Sequence, residues 1–275
     1  MKFIPRFLTD GHAVALGGYI HRVNDNVIRR NLEIPHASAA FGGSTESRQG
    51  PYRLSQEPDS DPVVSCASSW SRAWHEREDG NGNGTGPTHT VHAKSIVEGL
   101  EIDKRLFVDR ATAYLKTVYH EGDAQPTVTP VEAELGGFVL DGVRFTVTLD
   151  AEPVTTFGTC DEFHHACLHD DGFREKNGKR VLSLREPSSD APSPKGCFVY
   201  SLVERIQWDG PLPAGAEVDE DSHVIVWPDF GKIILGEMLI SDFSRRLTMM
   251  RLELGSPLEA SLDAADVQSG GQGLP

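Results

Sequence analysis

In the segment VRFTVTLD, Val143, Phe145, Val147 and Leu149 fall on one side of an extended chain and Arg144, Thr146 and Thr148 on the other. A side-chain period of two belongs to a β-strand with one face buried, and a helix cannot present the same residues on one stripe. ATAYLKTVYH, TPVEAEL, GCFVYSLVERIQW, SHVIVW, GKIILGEMLI and LTMMRLELG are further strand candidates, rich in Val, Ile, Thr and aromatics and separated by Gly, Pro and Asp. Seven such segments at close spacing predict a mainly β protein, an antiparallel β-sandwich or barrel. The 27 Gly and 17 Pro supply the turns. Because Ile233 to Ile240 carries apolar residues at both parities, that strand is expected to be central and covered on both faces. In the strand after it, Thr248, Met250, Leu252 and Leu254 are expected on one face.

The alternation is weak at the two ends of the chain. Residues 1–62 mix short apolar pieces with HASAAFGGSTESRQG and close on SQEPDSDP, so they are expected to form an extended N-terminal arm, packed on its own core in preference to threading across a neighbouring subunit. Residues 63–262 are expected to be the β-rich core, and residues 263–275, with DVQSGGQGLP, a C-terminal tail. One or two short helices complete the expected fold. The main one is TCDEFHHACLHDDGF, with Thr159 as N-cap, Asp161 and Glu162 in the first turn and a stop near Gly172. VSCASSWSRAWH, with Trp70 and Trp74 four residues apart, suits a short helix or a strand equally.

The block FGKIILGEMLISDFSRRLTMMRLELGSP resembles a pattern shared by uncharacterised bacterial proteins of similar length, and Gly99 to Leu149 resembles it less specifically. The resemblance covers roughly half of the chain and contains no catalytic motif. It implies a shared β core and a bacterial source, with no activity attached.

Charge excludes some partners. Subtracting 41 acidic from 26 basic side chains leaves −15, a field that repels phosphate backbones and anionic headgroups, so neither nucleic acid nor a membrane surface is expected. The dipeptides Arg29-Arg30, Lys179-Arg180 and Arg245-Arg246 are read as surface. Pro5 and Arg6 interrupt the first apolar residues, and no stretch approaches the roughly 18 to 20 apolar residues of a membrane span; the expected compartment is the cytoplasm. Cys66, Cys160, Cys167 and Cys197 are therefore expected as reduced thiols.

Three groups of residues carry candidate chemistry. Cys160, His164, Cys167 and His169, with His165 among them, are spaced so that a helix pairs Cys160 with His164 and His165 with His169; such pairs suit zinc, with Cys197 or His223 completing the site. An amphipathic helix with cysteines in the core and histidines in water accounts for the same residues and is preferred. His92 and His120 are general-base candidates if adjacent strands bring them together, yet each also fits an ordinary strand or turn position, which is the preferred reading. Glu237 interrupts an apolar strand and Arg251 the next; an unpaired buried Glu237 has the raised pKa of an acid or base, whereas pairing with Arg251 keeps it ionised, and the ion pair is preferred. The chain has no Gly-x-Ser-x-Gly elbow, P-loop, His-Glu-x-x-His, EF-hand loop or Cys-x-x-Cys. The leading expectation is a self-associating scaffold or binding protein, a homo-oligomer without cofactor. The second is a cofactor-free isomerase, cyclase or lyase, or a small-molecule carrier, with an apolar β pocket lined by His12, His92, His120, Tyr114, Tyr119 and Glu237. A zinc enzyme built on the Cys160–His169 segment is third.

Overall fold

The computed structural model describes residues 6–23, 26–40, 43–55, 60–80, 86–184, 198–219, 223–255 and 258–274. The chain opens with β1 (Arg6–Val23) and β2 (Asn26–Ala40) in a first sheet. It then crosses to a second sheet for β3 (Ser44–Gln49), β4 (Tyr52–Ser55), β5 (Pro62–Cys66), β6 (Ser68–Glu78), β7 (Thr88–Ile102), β8 (Leu106–His120), β9 (Thr127–Leu140) and β10 (Val143–Leu149). Helices α1 (Glu152–Thr156), α2 (Cys160–His169) and α3 (Asp171–Asn177) and a 3-10 turn at Gly178–Arg180 follow. The first sheet resumes with β11 (Val181–Leu184) and β12 (Phe198–Ser201), the second takes β13 (Val203–Trp208), and the first ends with β14 (Glu217–Val218), β15 (Val224–Trp227), β16 (Gly231–Ile240), β17 (Ser244–Leu254) and β18 (Leu258–Leu274).

Among the described residues each sheet has nine strands, paired antiparallel. The first runs β11-β12-β16-β17-β18-β1-β2, with β14 and β15 attached to β16; the second runs β13-β10-β9-β8-β7-β5-β4, with β6 and β3 attached to β7. The two sheets pack as a sandwich and do not close into a barrel, and the described residues include three short helices where one or two were expected. Trp70 and Trp74 lie on a strand, β6.

Most of the described residues of the expected arm, and all those of the expected tail, are strand. β1 pairs with β18 along almost its whole length, and β2 pairs with β1. Their small residues set the spacing between the sheets. Ala13, Ala37, Ala39, Ala73, Ala93 and Ala113 are each at most 2% exposed, and a Cβ on Gly11 would stand 3.0 Å from Val91 Cγ1 of the other sheet. Short hydroxyl groups span the gap: Ser71 donates to the Pro35 carbonyl at 2.8 Å, and Thr117 Oγ1 and Ser269 Oγ are 2.7 Å apart. Composition that buries little area per residue here allows close approach. The opposite flank uses large side chains instead, with Phe163, Phe198, Tyr200 and Ile240 at most 1% exposed; fully burying one such apolar side chain contributes roughly 1.5–3 kcal/mol.

Strict alternation forbids two adjacent residues on one face. Yet Met249 and Met250, Ala15 and Leu16, and Ala264 and Ala265 are pairs of neighbours that are all at most 2% exposed. Leu16, Ala264, Met250 and Leu235 are successive partners across β1, β18, β17 and β16. In the rank beside them Ala265 (φ 49) and Gly236 (φ 58) take left-handed backbone, resetting the alternation in each strand without shifting the register between strands. The second sheet repeats the device where Gly99 (φ 59) and Gly137 (φ 66) flank Asp109 of β8. A Cβ on Gly137 would overlap the Asp109 carboxylate. This crease corrects the expectation for β16: Ile233, Leu235, Met238 and Ile240 are all buried although their parity changes at Gly236, while Leu239 is 37% exposed, so only one face is covered. It also separates Thr248 from Met250, Leu252 and Leu254; the Thr248 hydroxyl donates instead to Asp266 at 2.7 Å.

Candidate functional site

His92 stands on the outer face of the second sheet, opposite Trp74 in register. Its ring stacks on Trp74 (4.4 Å between centroids, 8° between planes), Tyr114 Oη and His92 Nδ1 are 2.8 Å apart, and Nε2 is 3.6 Å from Glu76 Oε2. Arg72 covers the Trp74 ring at 4.5 Å. At 7% exposure, burial holds His92 below the ordinary histidine pKa and raises Tyr114, so both are neutral at pH 7. A neutral imidazole is the right form for a base, but Trp74 covers one face of the ring and Tyr114 engages Nδ1. His120 pairs with Thr88 in register while His92 pairs with Lys116, four rungs away and roughly 13 Å along the strand. The structure therefore does not bring His92 and His120 together; His120 is exposed and bonds Thr88 Oγ1 at 2.9 Å.

Glu237 belongs to a ladder of charges on the outer face of the first sheet. Arg251 reaches Glu237 at 2.7 Å and Asp263 at 3.3 Å, and Arg246 reaches Asp263 at 3.0 Å and Asp266 at 2.8 Å. The pair with Arg251 is diagonal, because Glu237 faces Thr248 directly. Burial and the Asp266 charge raise the Asp263 carboxyl. Alternating signs in three adjacent strands give a reason for these residues without a substrate.

Helix α2 begins as its sequence predicts. The Thr159 hydroxyl accepts from the Glu162 N–H at 3.2 Å, and the Glu162 carboxylate accepts from the Thr159 N–H at 3.0 Å, a capping box. Cys160 turns into the core, where burial pushes its thiol up to about 12; burial pushes Cys167 to about 11. His164 packs against Phe198 at 5.2 Å, and His165 lies against His169 at 4.8 Å. Cys66, Cys160 and Cys167 are free thiols, and Cys197 lies outside the described residues. Among the described residues no group of three or more His, Cys, Asp or Glu is placed to hold a metal ion. His223 is 4% exposed, and burial with the nearby Arg251 charge lowers it to about 4.

A cleft of about 550 Å³ opens on the helical flank, where Leu202 carries the chain from β12 to β13. One wall is α3 and its 3-10 turn, with Lys176, Lys179 and Arg180; the other is β13 and β14, with Ile206, Trp208 and Val218. Arg180 fixes the walls relative to each other. Its guanidinium bonds Asp150 Oδ2 (2.8 Å), Asn177 Oδ1 (3.1 Å) and the carbonyls of Ser201 (2.9 Å) and Leu202 (3.1 Å), as well as the Asp150 carbonyl, and it covers the Tyr200 ring at 4.8 Å. A second buried arginine works in the same way: Arg245, 1% exposed, donates to the carbonyls of Val154 and Phe157, both at 2.6 Å, and holds α1 and the start of α2 onto β17. Burial lowers its pKa to about 10, so it stays charged at pH 7. The dipeptides Lys179-Arg180 and Arg245-Arg246 predict surface positions, but Arg180 and Arg245 are buried. A guanidinium is buried here because several backbone carbonyls at chain crossings need donors, a requirement set by tertiary structure. Most of the cleft residues lie in KNGKR and VERIQW, which sequence patterning marks only as a loop and a strand.

The fold is a two-sheet antiparallel β-sandwich with a helical flank. The chain belongs to a family described as a domain of unknown function, DUF8256, whose model matches residues 7–241. The match ends inside the C-terminal block of the bacterial resemblance. No curated protein and no solved structure matches the chain. No helix among the described residues is long and apolar enough to cross a membrane.

Proposed function

We propose that this protein is a binding protein that takes a small molecule in the cleft between α3 and β13. The carrying observation is the cleft itself. Its volume lies within the roughly 300–1,000 Å³ of small-ligand sites, its lining includes Ile206, Trp208, Leu212 and Val218, and its walls are pre-set by the Arg180 network. Preorganised walls reduce the ordering cost of binding. Self-association, the leading expectation from the sequence, has weaker support, because the sheet edges carry features that oppose pairing. Edge strand β2 has a bulged register, exposed Arg29 and Arg30, and Pro35; β13 presents exposed Glu204 and Arg205.

A fragment screen followed by heteronuclear NMR tests the reading. Shift changes clustering at residues 176–180 and 203–208 are the expected result; hits confined to other surfaces count against it. Light scattering on the same sample is expected to give a monomer mass, and a discrete oligomer would restore assembly as the leading function.

A further inference from the structure

The outer face of the second sheet carries a depression that shares no residue with the cleft beside α3. On β6 the buried residues Ser69, Ser71 and Ala73 alternate with Trp70, Arg72 and Trp74, which point outward. The two tryptophans differ in what covers them. Trp74 stacks on His92 at 4.4 Å and carries the Arg72 guanidinium at 4.5 Å. Among the described residues no ring stacks on Trp70, and the cations beside it, Arg48 and Lys94, stand 5.6 and 6.0 Å from the ring centre, farther off than Arg72 is from Trp74. Its Nε1–H donates to Glu46 at 3.0 Å, which orients the ring and leaves its face, not its donor, for a ligand. The depression beside it holds about 450 Å³ and is lined also by Arg48, Gln49, Ser68, Ile96 and Glu98. The charges of this lining are met within the protein: Arg48 Nε donates to Glu46 at 2.8 Å, and Glu98 accepts from Arg110 and from the Ser68 hydroxyl, both at 2.6 Å. An ionic ligand would have to break one of these pairs. A hydroxyl would not, because a guanidinium keeps further N–H donors, each carboxylate oxygen keeps a second lone pair, and Gln49 adds an amide. An oriented indole beside internally neutralised hydrogen-bonding groups suits a molecule with a C–H face and a rim of hydroxyls, whereas an aromatic guest would cover the rim without bonding it. We infer that this depression binds a neutral saccharide, with one sugar ring on Trp70 and its hydroxyls meeting Arg48, Gln49 and Glu98.

The full-length protein is titrated with four neutral oligosaccharides, maltohexaose, cellohexaose, xylohexaose and chitohexaose, while the Trp70 indole N–H resonance is followed by NMR. At least one is expected to give a saturable shift there. Trp70→Ala is expected to weaken that sugar about tenfold through the lost ring contact. A circular-dichroism melt checks the fold; if that variant does not fold, Gln49→Ala serves, weakening the sugar about threefold. Hexagalacturonate, an anionic counterpart, is expected to bind no more tightly than the best neutral sugar, and tighter binding would overturn the neutral class. No saturable shift with any of the four, or an affinity unchanged in the folded variant, would overturn the site. So would shifts confined to residues 176–180 and 203–208, which would place the sugar in the cleft beside α3 and leave that reading standing.

Discussion

The two flanks of this sandwich solve the same problem with opposite materials. Where β1, β2 and β18 face β6, β7 and β8, alanine, serine and glycine bring the sheets close enough for the Ser71 hydroxyl to reach a carbonyl of the opposite sheet. Where β12 and β16 meet the helices, phenylalanine, tyrosine and isoleucine hold the layers apart, two buried arginines tie the chain crossings together, and the cleft remains. The close seam is stabilised by shape. The helical flank is stabilised by a few polar hubs, and its spacing leaves room for a ligand. Position of the site thus follows from side-chain volume along the sheet.

Removing a hub is the largest expected perturbation. Arg245→Leu strands the Val154 and Phe157 carbonyls in the core, and urea denaturation is expected to show a loss of about 3–5 kcal/mol. A loss below about 1 kcal/mol would show that the flank does not depend on its arginine. Next in size is an acid effect on the same flank. His223 has a folded-state pKa of about 4 against an ordinary 6.5, so the unfolded chain takes up a proton that the folded one refuses. Its contribution is complete above pH 6.5 and is lost as pH falls toward 4, about 3 kcal/mol in total. Denaturation curves at pH 7 and pH 4 are expected to converge for His223→Gln relative to wild type, and an identical pH slope in both proteins would remove His223 from the account. The smallest effect sharpens the contrast in packing. Ala93→Leu in the close seam is expected to cost about 1–3 kcal/mol by overpacking, whereas Val203→Ile at the cleft margin is expected to cost under about 0.5 kcal/mol. Equal costs at the two positions would mean that the seam is no tighter than the flank.

Much of the fold was legible in the sequence because alternation is a local property. Val143 to Leu149 reads as the strand it forms, and Thr159 to Glu162 reads as the cap it forms. The N-terminal arm was harder: its glycine and alanine look like a failure to build a core until a second sheet is laid against them. The candidate site was the least legible. Glu237 and Arg251 could be paired from the sequence, but Arg180 lies 30 residues from Asp150, and Lys176 and Trp208, 32 positions apart, line one cleft only in the folded chain. His92 is a general-base candidate in the sequence, but its partners Trp74 and Tyr114 come from neighbouring strands.

The crease has a consequence for descent. Each strand that crosses it exchanges inward for outward at the same rank, so deleting one residue there would invert half of that strand while its neighbours kept their phase. Such a line is hard to gain or lose one strand at a time. Related chains are therefore expected to keep the doublets Ala15-Leu16, Met249-Met250 and Ala264-Ala265 as aligned pairs of small or apolar residues, a punctuation mark by which distant kin can be recognised after the words around it have changed.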